Sequence, residues 1–268
     1  MTLEVLERRK DRTVEASLLF IEPDNVKPEV AFGYESGVAE TNALYVPHKV
    51  ALRDARGTAL ELNAEGFVLA RQRSAVRDFW DDAEAENVGR AEAAGLVAKA
   101  TGARRVHVFD HTQRRRSPDA RRQPSTRVHV DYTLTSAPQR VRDLFGEEAD
   151  ALLARPFAFI NVWRPINHRA EDWPLALADA RTVASSELVA TDIVYPDRRG
   201  EIYNLTHSPR QRWWYVSDME PDEALLIKCY DSREDVARFT PHTAFENPLT
   251  RPGAPPRESI EFRTIAFF

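Results

Sequence analysis

Arg127-Val-His-Val-Asp-Tyr-Thr133 is the stretch from which both the fold and the chemistry of this chain are predicted. Valines alternate with polar residues along its first half, which is the pattern of a half-buried β-strand. Successive side chains of a strand point to opposite faces, so His129 and Asp131 are expected to project to one side. The strand therefore presents an imidazole and a carboxylate together.

A second histidine, His242, lies far along the chain, close to its C-terminus. Two imidazoles and one carboxylate on one side of a metal, with the other side left open, are typical of non-haem Fe(II) oxygenases. We therefore predict that His129, Asp131 and His242 form a catalytic metal site.

Two other charged clusters offer alternatives. His107 and His111 would share a face of a continuing strand, with Asp110 beside them, although a structural strand is the preferred interpretation. The triple Arg114-Arg115-Arg116 could bind an acidic substrate. An exposed loop over residues 111–126 is the favoured interpretation of that segment.

The C-terminal stretch predicts a strand after a proline-rich loop. Arg257, Ser259, Glu261 and Arg263 fall on one face of that strand by the period of two. A guanidinium binds a carboxylate through two parallel hydrogen bonds, and a hydroxyl adds a third. The Arg-x-Ser pair could therefore hold the far end of a dicarboxylate such as 2-oxoglutarate.

Aromatic residues predict a substrate pocket. Trp213 and Tyr215 belong to a run aromatic enough for a pocket wall, although ordinary barrel packing is favoured for one of the two adjacent tryptophans. Trp163 and Tyr132 are further candidates, the latter because it follows the metal carboxylate. Arg164, if buried, needs an anionic partner, which is either a bound carboxylate or an internal acid. Beside an apolar wall it would suit a small acid such as an amino-acid derivative.

The order of these motifs resembles the AsaB-type hydroxylase/desaturase family, which also includes the partner protein of cephamycin 7α-hydroxylation and fungal gibberellin desaturase-like proteins. The resemblance covers the chain from about Phe32 onward. The motifs that carry it are His129-x-Asp131, Asn161-Val-Trp-Arg-Pro-Ile166, Gln211-Arg-Trp-Trp-Tyr215, Tyr230-Asp-Ser232, His242-Thr-x-Phe245 and Arg257-Glu-Ser-Ile-Glu261.

The resemblance implies a mainly β (α+β) fold, a double-stranded β-helix (jelly roll, cupin-like) with flanking helices, as a single oxygenase domain over residues 1–268. It implies Fe(II), O₂ and the co-substrate 2-oxoglutarate, held by Arg257 with Ser259, or by Arg263 or Arg164. Such an enzyme would hydroxylate, desaturate or cyclise a small specialised metabolite and release succinate and CO₂. The alternative is a non-catalytic jelly-roll partner of another biosynthetic enzyme. A methyltransferase is disfavoured because no glycine-rich loop follows a strand.

Length and composition agree with one domain of this kind, since 268 residues suit a single large β domain. A net charge of -5 argues against a nucleic-acid partner. The single Cys229 suits a reducing cytosol. Charges in Met1–Lys10 argue against a signal peptide, and no apolar run approaches the roughly 20 residues of a membrane helix. We predict a cytoplasmic protein with a small-molecule substrate and no membrane partner. If the protein forms an oligomer, a homodimer is expected.

Local patterns predict strands through most of the chain and helices mainly in its first half. A helix is expected over 74–100, with Ser74 as its cap, and short helices within 136–153. The predicted strands are 13–22, 28–34, 43–53, 61–70, 104–110, 157–164, 187–194, 211–217, 224–230 and 258–267.

Overall fold

The computed structural model describes residues 12–32, 39–120 and 122–268. The charged decapeptide at the N-terminus and residues 33 and 34 of one predicted strand lie outside the described residues. The strands of the described part are β1 (Thr13–Glu22), β2 (Glu29–Phe32), β3 (Ala39–Thr41), β4 (Leu44–Asp54), β5 (Phe67–Arg71), β6 (Arg105–Arg115), β7 (His129–Val130), β8 (Phe157–Pro165), β9 (Leu175–Ala178), β10 (Leu188–Val194), β11 (Arg199–Leu205), β12 (Trp213–Tyr215), β13 (Glu223–Asp231), β14 (His242–Ala244) and β15 (Glu258–Phe267).

Helices are few and short within the same residues. They are α1 (Asp82–Glu84), α2 (Arg90–Thr101), α3 (Ser136–Phe145) and α4 (Ala149–Leu153), and a single π-helical turn, Ala85–Gly89, joins the first two. None of the helices in the described part has the length and apolar character needed to cross a bilayer.

The strands form two sheets that stack face to face. One has ten strands in the order β1-β4-β12-β9-β14-β7-β11-β10-β2-β3, and the other has five in the order β5-β13-β8-β15-β6. Apolar side chains of both sheets meet in one cluster, with Val130 and Leu177 from the larger sheet and Phe159 and Leu225 from the smaller. This arrangement is the predicted jelly roll with flanking helices.

The outer face of the five-stranded sheet is covered by α2. Leu96 and Val97 of the helix pack with Val162 and Phe262 of the sheet in a second apolar cluster. The π-helical turn brings the chain so close that a Cβ on Gly89 would lie 2.6 Å from the Phe262 ring. Only glycine allows this approach, which fixes the helix against β15.

The predicted helix over 74–100 is wrong at its start. The helical segment begins at Asp82, after an N-cap in which the Asp81 carboxylate accepts from two backbone N–H groups. Ser74 is no cap, because its hydroxyl donates to the carboxylate of Glu92 in α2 at 2.6 Å, and that contact holds the preceding segment extended against the helix. The end is as predicted, at Gly102 in a left-handed conformation.

Two differences in strand assignment affect the site. The strand predicted over 104–110 continues to Arg115, so the segment predicted as a loop from residue 111 is partly sheet. The sequence pattern missed β3, β9, β11 and β14. The Leu-Ala-Leu-Ala sequence of β9 favours a helix by propensity, but it is a buried strand between β12 and β14, where packing outweighs propensity.

Candidate metal and co-substrate site

The three predicted metal ligands converge in the structure. His129 lies in β7, Asp131 follows that strand, and His242 in β14 is the direct cross-strand partner of His129. One ligand atom from each residue lies within 4.8 Å of the others. The Nε2 atom of His129 is 3.4 Å from the Oδ1 atom of Asp131.

Backbone contacts turn both imidazoles toward the same point. The Nδ1 atom of His129 lies 2.8 Å from the carbonyl oxygen of Arg127, and the Nδ1 atom of His242 lies 3.0 Å from that of Thr240. A carbonyl can only accept, so each Nδ1 carries the proton and each Nε2 keeps its lone pair. Burial, and then the charge of His129, lower the pKa of His242, which favours the neutral form that binds metals.

Asp131 is held as a carboxylate, with one oxygen bound by neighbouring side chains and the other directed at the imidazoles. Its Oδ2 atom accepts from the Nδ2 atom of Asn161 at 2.8 Å and from the Nε atom of Arg263 at 3.3 Å. Burial raises the pKa of Asp131, but hydrogen bonding to His129 in its protonated form and the charge of Arg263 outweigh it, so the pKa lies well below its usual range. The Oδ1 atom therefore faces the imidazoles in its charged form.

These donors fit a metal ion. Two Nε2 lone pairs and one carboxylate oxygen gather at one point, and the opposite atom of each group is already bound to the protein. Such outer contacts orient metal ligands in known metalloproteins. Borderline nitrogen donors with one carboxylate are a ligand set for Fe(II).

Arg263 is fully engaged by protein groups. Its guanidinium lies 2.8 Å from Asp110, 3.2 Å from Glu261 and 3.3 Å from Asp131, and it also donates to the hydroxyl of Thr112 at 3.2 Å. An arginine with three carboxylate neighbours has little capacity for another. Its place is to hold Asp131, and it does not fit the predicted role of binding a dicarboxylate.

Arg257, in contrast, is a buried cation whose guanidinium has no carboxylate of the described residues within ion-pair distance. It lines the same small cavity as the metal triad and is 1% exposed. Its Nη1 atom donates to the carbonyl of Trp173 at 2.6 Å, but its Nε atom has no hydrogen-bond partner in the part of the chain that the structure describes. Burial lowers the pKa of Arg257 to about 9. The buried hydroxyl of Ser259 likewise has no hydrogen-bond partner within residues 12–32, 39–120 and 122–268.

The residues around Arg257 hold it in place. Its guanidinium lies over the indole ring of Trp163, 5.5 Å from the ring centroid, and Trp163 lines the same cavity. Trp173, which supplies the carbonyl, has a φ of +46°, a left-handed conformation that a tryptophan rarely adopts. Strain of this kind is concentrated at functional sites.

Arg164 is not brought to the site. It lies on the opposite side of the five-stranded sheet, where its Nη2 atom donates to the carbonyls of Gln72 and Pro221 at 2.7 Å each. Glu92 of α2 is 3.9 Å from its Nη1 atom. Of the two alternatives for Arg164, internal partners are therefore the one observed, and the Arg164 side chain does not line the cavity.

All four aromatic candidates for the substrate pocket are buried in the core, and of the four Trp163 alone also lines the cavity. Trp213 and Tyr215 pack in the apolar cluster beneath β1 and β4, where the ten-stranded sheet curls over itself. Tyr132 stacks on Phe159 between the sheets, with ring centroids 4.1 Å apart. The half-buried Trp214 packs against the cluster between the sheets.

The competing histidine cluster does not form. Phe109 is unpaired at a β-bulge in β6, since Asp110 faces Arg263 and Val108 faces Thr264. The extra residue reverses the alternation of side chains, so His107 packs on Phe145 while His111 packs on Phe262. In the described part of the chain, the triad is the group of such residues close enough to share a metal.

Three side chains at the site were not among the preferred site residues predicted from the sequence. Glu261 and Arg114 line the cavity, and Asn161 positions the metal carboxylate. Asn161 and Glu261 belong to motifs quoted for the family resemblance, but no pattern within them indicated their contacts. Arg114 could have been found by continuing the alternation of β6 past residue 110.

Comparisons with known proteins agree with this site. A family profile described as "YDMC: Oxidoreductase/YMDC permease-like domain" matches residues 18–267. Fe(II)/2-oxoglutarate-dependent dioxygenase nvfI of Aspergillus novofumigatus is 32% identical over 267 residues, covering 94% of this chain and 96% of that protein. Hydroxylase/desaturase asaB of Aspergillus flavus is 44% identical over 137 residues, covering 45% of this chain and 60% of that protein.

A solved structure of a related enzyme has the same fold. The iron and alpha-ketoglutarate-dependent endoperoxidase NvfI superposes with a TM-score of 0.87 at 31% identity, covering 95% of this chain and 98% of that one. Fold and site thus define the class, an Fe(II)/2-oxoglutarate-dependent dioxygenase that acts on small molecules. The chain belongs to this oxidoreductase family, and the resemblance to hydroxylase/desaturase proteins is confirmed. The catalytic interpretation is favoured over a partner protein without activity.

Proposed function

We propose that His129, Asp131 and His242 bind Fe(II), and that the protein hydroxylates, desaturates or cyclises a small specialised metabolite as a single domain over residues 1–268. The convergence of two Nε2 lone pairs and one carboxylate oxygen within 4.8 Å supports this. Three protein ligands leave coordination positions for a co-substrate and O₂. Bound iron and 2-oxoglutarate supply the oxidising power, and each turnover consumes O₂ and releases succinate and CO₂.

Arg257 and Ser259 are the proposed ligands of the distal carboxylate of 2-oxoglutarate. Arg257 is buried in the metal cavity, and among the described residues its guanidinium has no carboxylate partner and the Ser259 hydroxyl has no hydrogen-bond partner. Leaving these groups unpaired costs free energy, whereas a carboxylate would accept from both. Among the three arginines considered, Arg257 is the one with free donors at the site.

The protein residues have separate tasks in this proposal. Asn161 and Arg263 hold one oxygen of Asp131, so the other is presented to iron. Trp163, Leu175 and Ala244 give the cavity an apolar wall against the substrate. Because Arg164 lies behind the sheet, it does not support an acidic, amino-acid-derived substrate, and the proposed substrate class is a small metabolite with an apolar body.

The cytosol is the proposed setting. Cys229 is buried, and it is a free thiol, which suits a reducing compartment. Formation of a homodimer stays a prediction. Activity as a monomer in solution, measured by light scattering with turnover, would contradict it.

The metal site is tested by removing its ligands one at a time. We expect His129→Ala and His242→Ala each to abolish Fe(II) binding and succinate release, because a metal with three protein ligands loses most of its affinity with one removed. His107→Ala, a histidine on β6, is the matched control and should bind iron normally. Anaerobic calorimetry with Fe(II) and circular dichroism separate loss of metal from loss of fold. Retained iron binding in either ligand variant would refute the triad.

A further inference from the structure

Three consecutive arginines at the end of β6, Arg114, Arg115 and Arg116, make different contacts. Arg115 forms an ion pair with Glu258 at 2.6 Å, and Arg116 forms one with Asp172. Arg114 points the other way and lines the cavity that holds the metal triad. The sequence pattern favours an exposed loop for this residue, but strand alternation turns it inward.

Strand register places Arg114 beside the proposed co-substrate ligands. In the pairing of β6 with β15, Arg114 lies directly opposite Ser259. Directly opposed residues of antiparallel strands have Cβ atoms about 4.5–5.5 Å apart. Arg257 lies two residues before Ser259 and lines the same cavity, so the two arginines flank the Ser259 hydroxyl.

The charges of this cavity are unbalanced. Its lining contains three arginines but two carboxylates, Asp131 and Glu261, and both of these lie against Arg263. Neither Arg114 nor Arg257 has a carboxylate of the described chain within ion-pair distance of its guanidinium. A divalent metal would add further positive charge. Like charges gathered in a half-enclosed site are unfavourable unless an anion binds between them.

We propose that Arg114 is a second arginine of the co-substrate site and that it clamps the distal carboxylate of 2-oxoglutarate together with Arg257 and Ser259. This inference rests on the proposed function of the cavity. The Nη1 atom of Arg114 donates to the carbonyl of Gln123 at 2.8 Å, which orients the guanidinium and leaves other N–H groups for the ligand. Two guanidiniums and a hydroxyl together supply enough donors for both oxygens of a carboxylate.

The test compares two keto acids on the metal-loaded protein. 2-Oxoglutarate and 2-oxobutyrate present the same keto-acid group to a metal, but 2-oxobutyrate has no distal carboxylate. Their affinities for the Mn(II)-loaded protein, where turnover is absent, are measured by calorimetry for the wild type, Arg114→Gln and Arg114→Lys. We expect Arg114→Gln to weaken 2-oxoglutarate on the order of tenfold or more, and 2-oxobutyrate hardly at all. Arg114→Lys should recover part of the loss.

Arg115→Gln is the matched control, since it removes the neighbouring arginine that faces outward, and it should bind 2-oxoglutarate like the wild type. If Arg114→Gln also binds 2-oxoglutarate like the wild type, or loses both keto acids equally, the role of Arg114 is refuted. If the wild type itself shows no metal-dependent binding of 2-oxoglutarate, the proposed function fails instead. If circular dichroism shows that Arg114→Gln does not fold, Arg114→Lys alone tests the role of Arg114. The quantity compared is then its affinity for 2-oxoglutarate relative to its affinity for 2-oxobutyrate.

Discussion

Arg257 and Arg164 are both buried at the five-stranded sheet, one on each side of it, and they differ in what surrounds them. Arg164 donates to two carbonyls and lies near Glu92 of α2. Arg257 donates to one carbonyl beside the metal triad and has no carboxylate of the described residues within ion-pair distance, whereas an aromatic ring and an unbonded Nε atom are common to both arginines. Burial alone thus does not identify a binding residue. A buried cation that lacks an anion does, because leaving it unpaired costs free energy.

The comparison extends to the two faces of the sheet. The inner face carries charged and polar side chains such as Glu261, Arg263 and Asn161, which line the cavity or contact the metal carboxylate. On the outer face, Val162 and Phe262 pack with apolar side chains of the helix, and Arg164 donates to structural carbonyls. Changes on the inner face should therefore alter ligand binding, and changes on the outer face should alter stability.

The largest effect is expected at Arg257. Arg257→Gln removes the charge and the paired N–H groups, so the KM for 2-oxoglutarate should rise on the order of 100-fold. Arg257→Lys keeps the charge but loses the two-pronged geometry, so it should fall between that variant and the wild type. Steady-state succinate release at varied 2-oxoglutarate measures both.

Arg164→Gln is the control from the other side of the sheet. It should lower the free energy of unfolding by about 1–3 kcal/mol and leave the KM for 2-oxoglutarate unchanged, because its partners are structural. A KM that rises equally in both variants would abolish the distinction between the two arginines.

A smaller effect is expected at Asn161, which positions the metal ligand without touching the metal. Asn161→Leu removes the donor to Asp131 at nearly constant volume, and we expect Fe(II) affinity to fall about tenfold, with the KM for 2-oxoglutarate changed less. Thr264→Val is the control, since its hydroxyl donates to the Ile160 carbonyl and not to the site. Titration with Fe(II) under nitrogen measures the affinity. Equal Fe(II) affinities in the two variants would contradict the positioning role.

The smallest effect on function is expected at Gly89 on the outer face. A Cβ there would lie 2.6 Å from the Phe262 ring, so Gly89→Ala should lower the free energy of unfolding by about 1–3 kcal/mol through overpacking. Gly95→Ala in the same helical segment meets open space and should be neutral or slightly stabilising. Urea denaturation compares them. Loss of 2-oxoglutarate affinity in Gly89→Ala at unchanged stability would show that the two faces are not independent.

Local sequence patterns predicted much of the fold and the metal triad. The alternation of Val128 and Val130 with His129 and Asp131 is a property of a single strand, and it needs no partner to be recognised. The strand with Arg257 and Arg263 was predicted in the same way. Helix α2 ended where expected because Gly102 adopts a left-handed conformation.

The errors in the predicted helices and strands came from contacts between segments that are distant in the sequence. Ser74 resembled a helix cap, but Glu92 takes up its hydroxyl and the helix begins later. The Leu175–Ala178 segment has no strand pattern of its own, and it forms a strand because it lies between two neighbouring strands of the sheet. Neither contact is visible in a local window, since propensity is a weak preference that packing overrides.

The sequence by itself determined which residue types could bind a metal and a dicarboxylate, because the ligand spacing along each strand is local. Only the tertiary structure decided which arginine remains unpaired. Asp110 and Glu261 come to Arg263 through strand pairing, Glu92 comes to Arg164 through helix packing, and no acid of the described chain reaches the guanidinium of Arg257. The bulge at Phe109 likewise separates His107 from His111, because one extra residue reverses the faces of a strand. Charge compensation depends on distances in space, and those are set by the pairing of strands far apart in the chain.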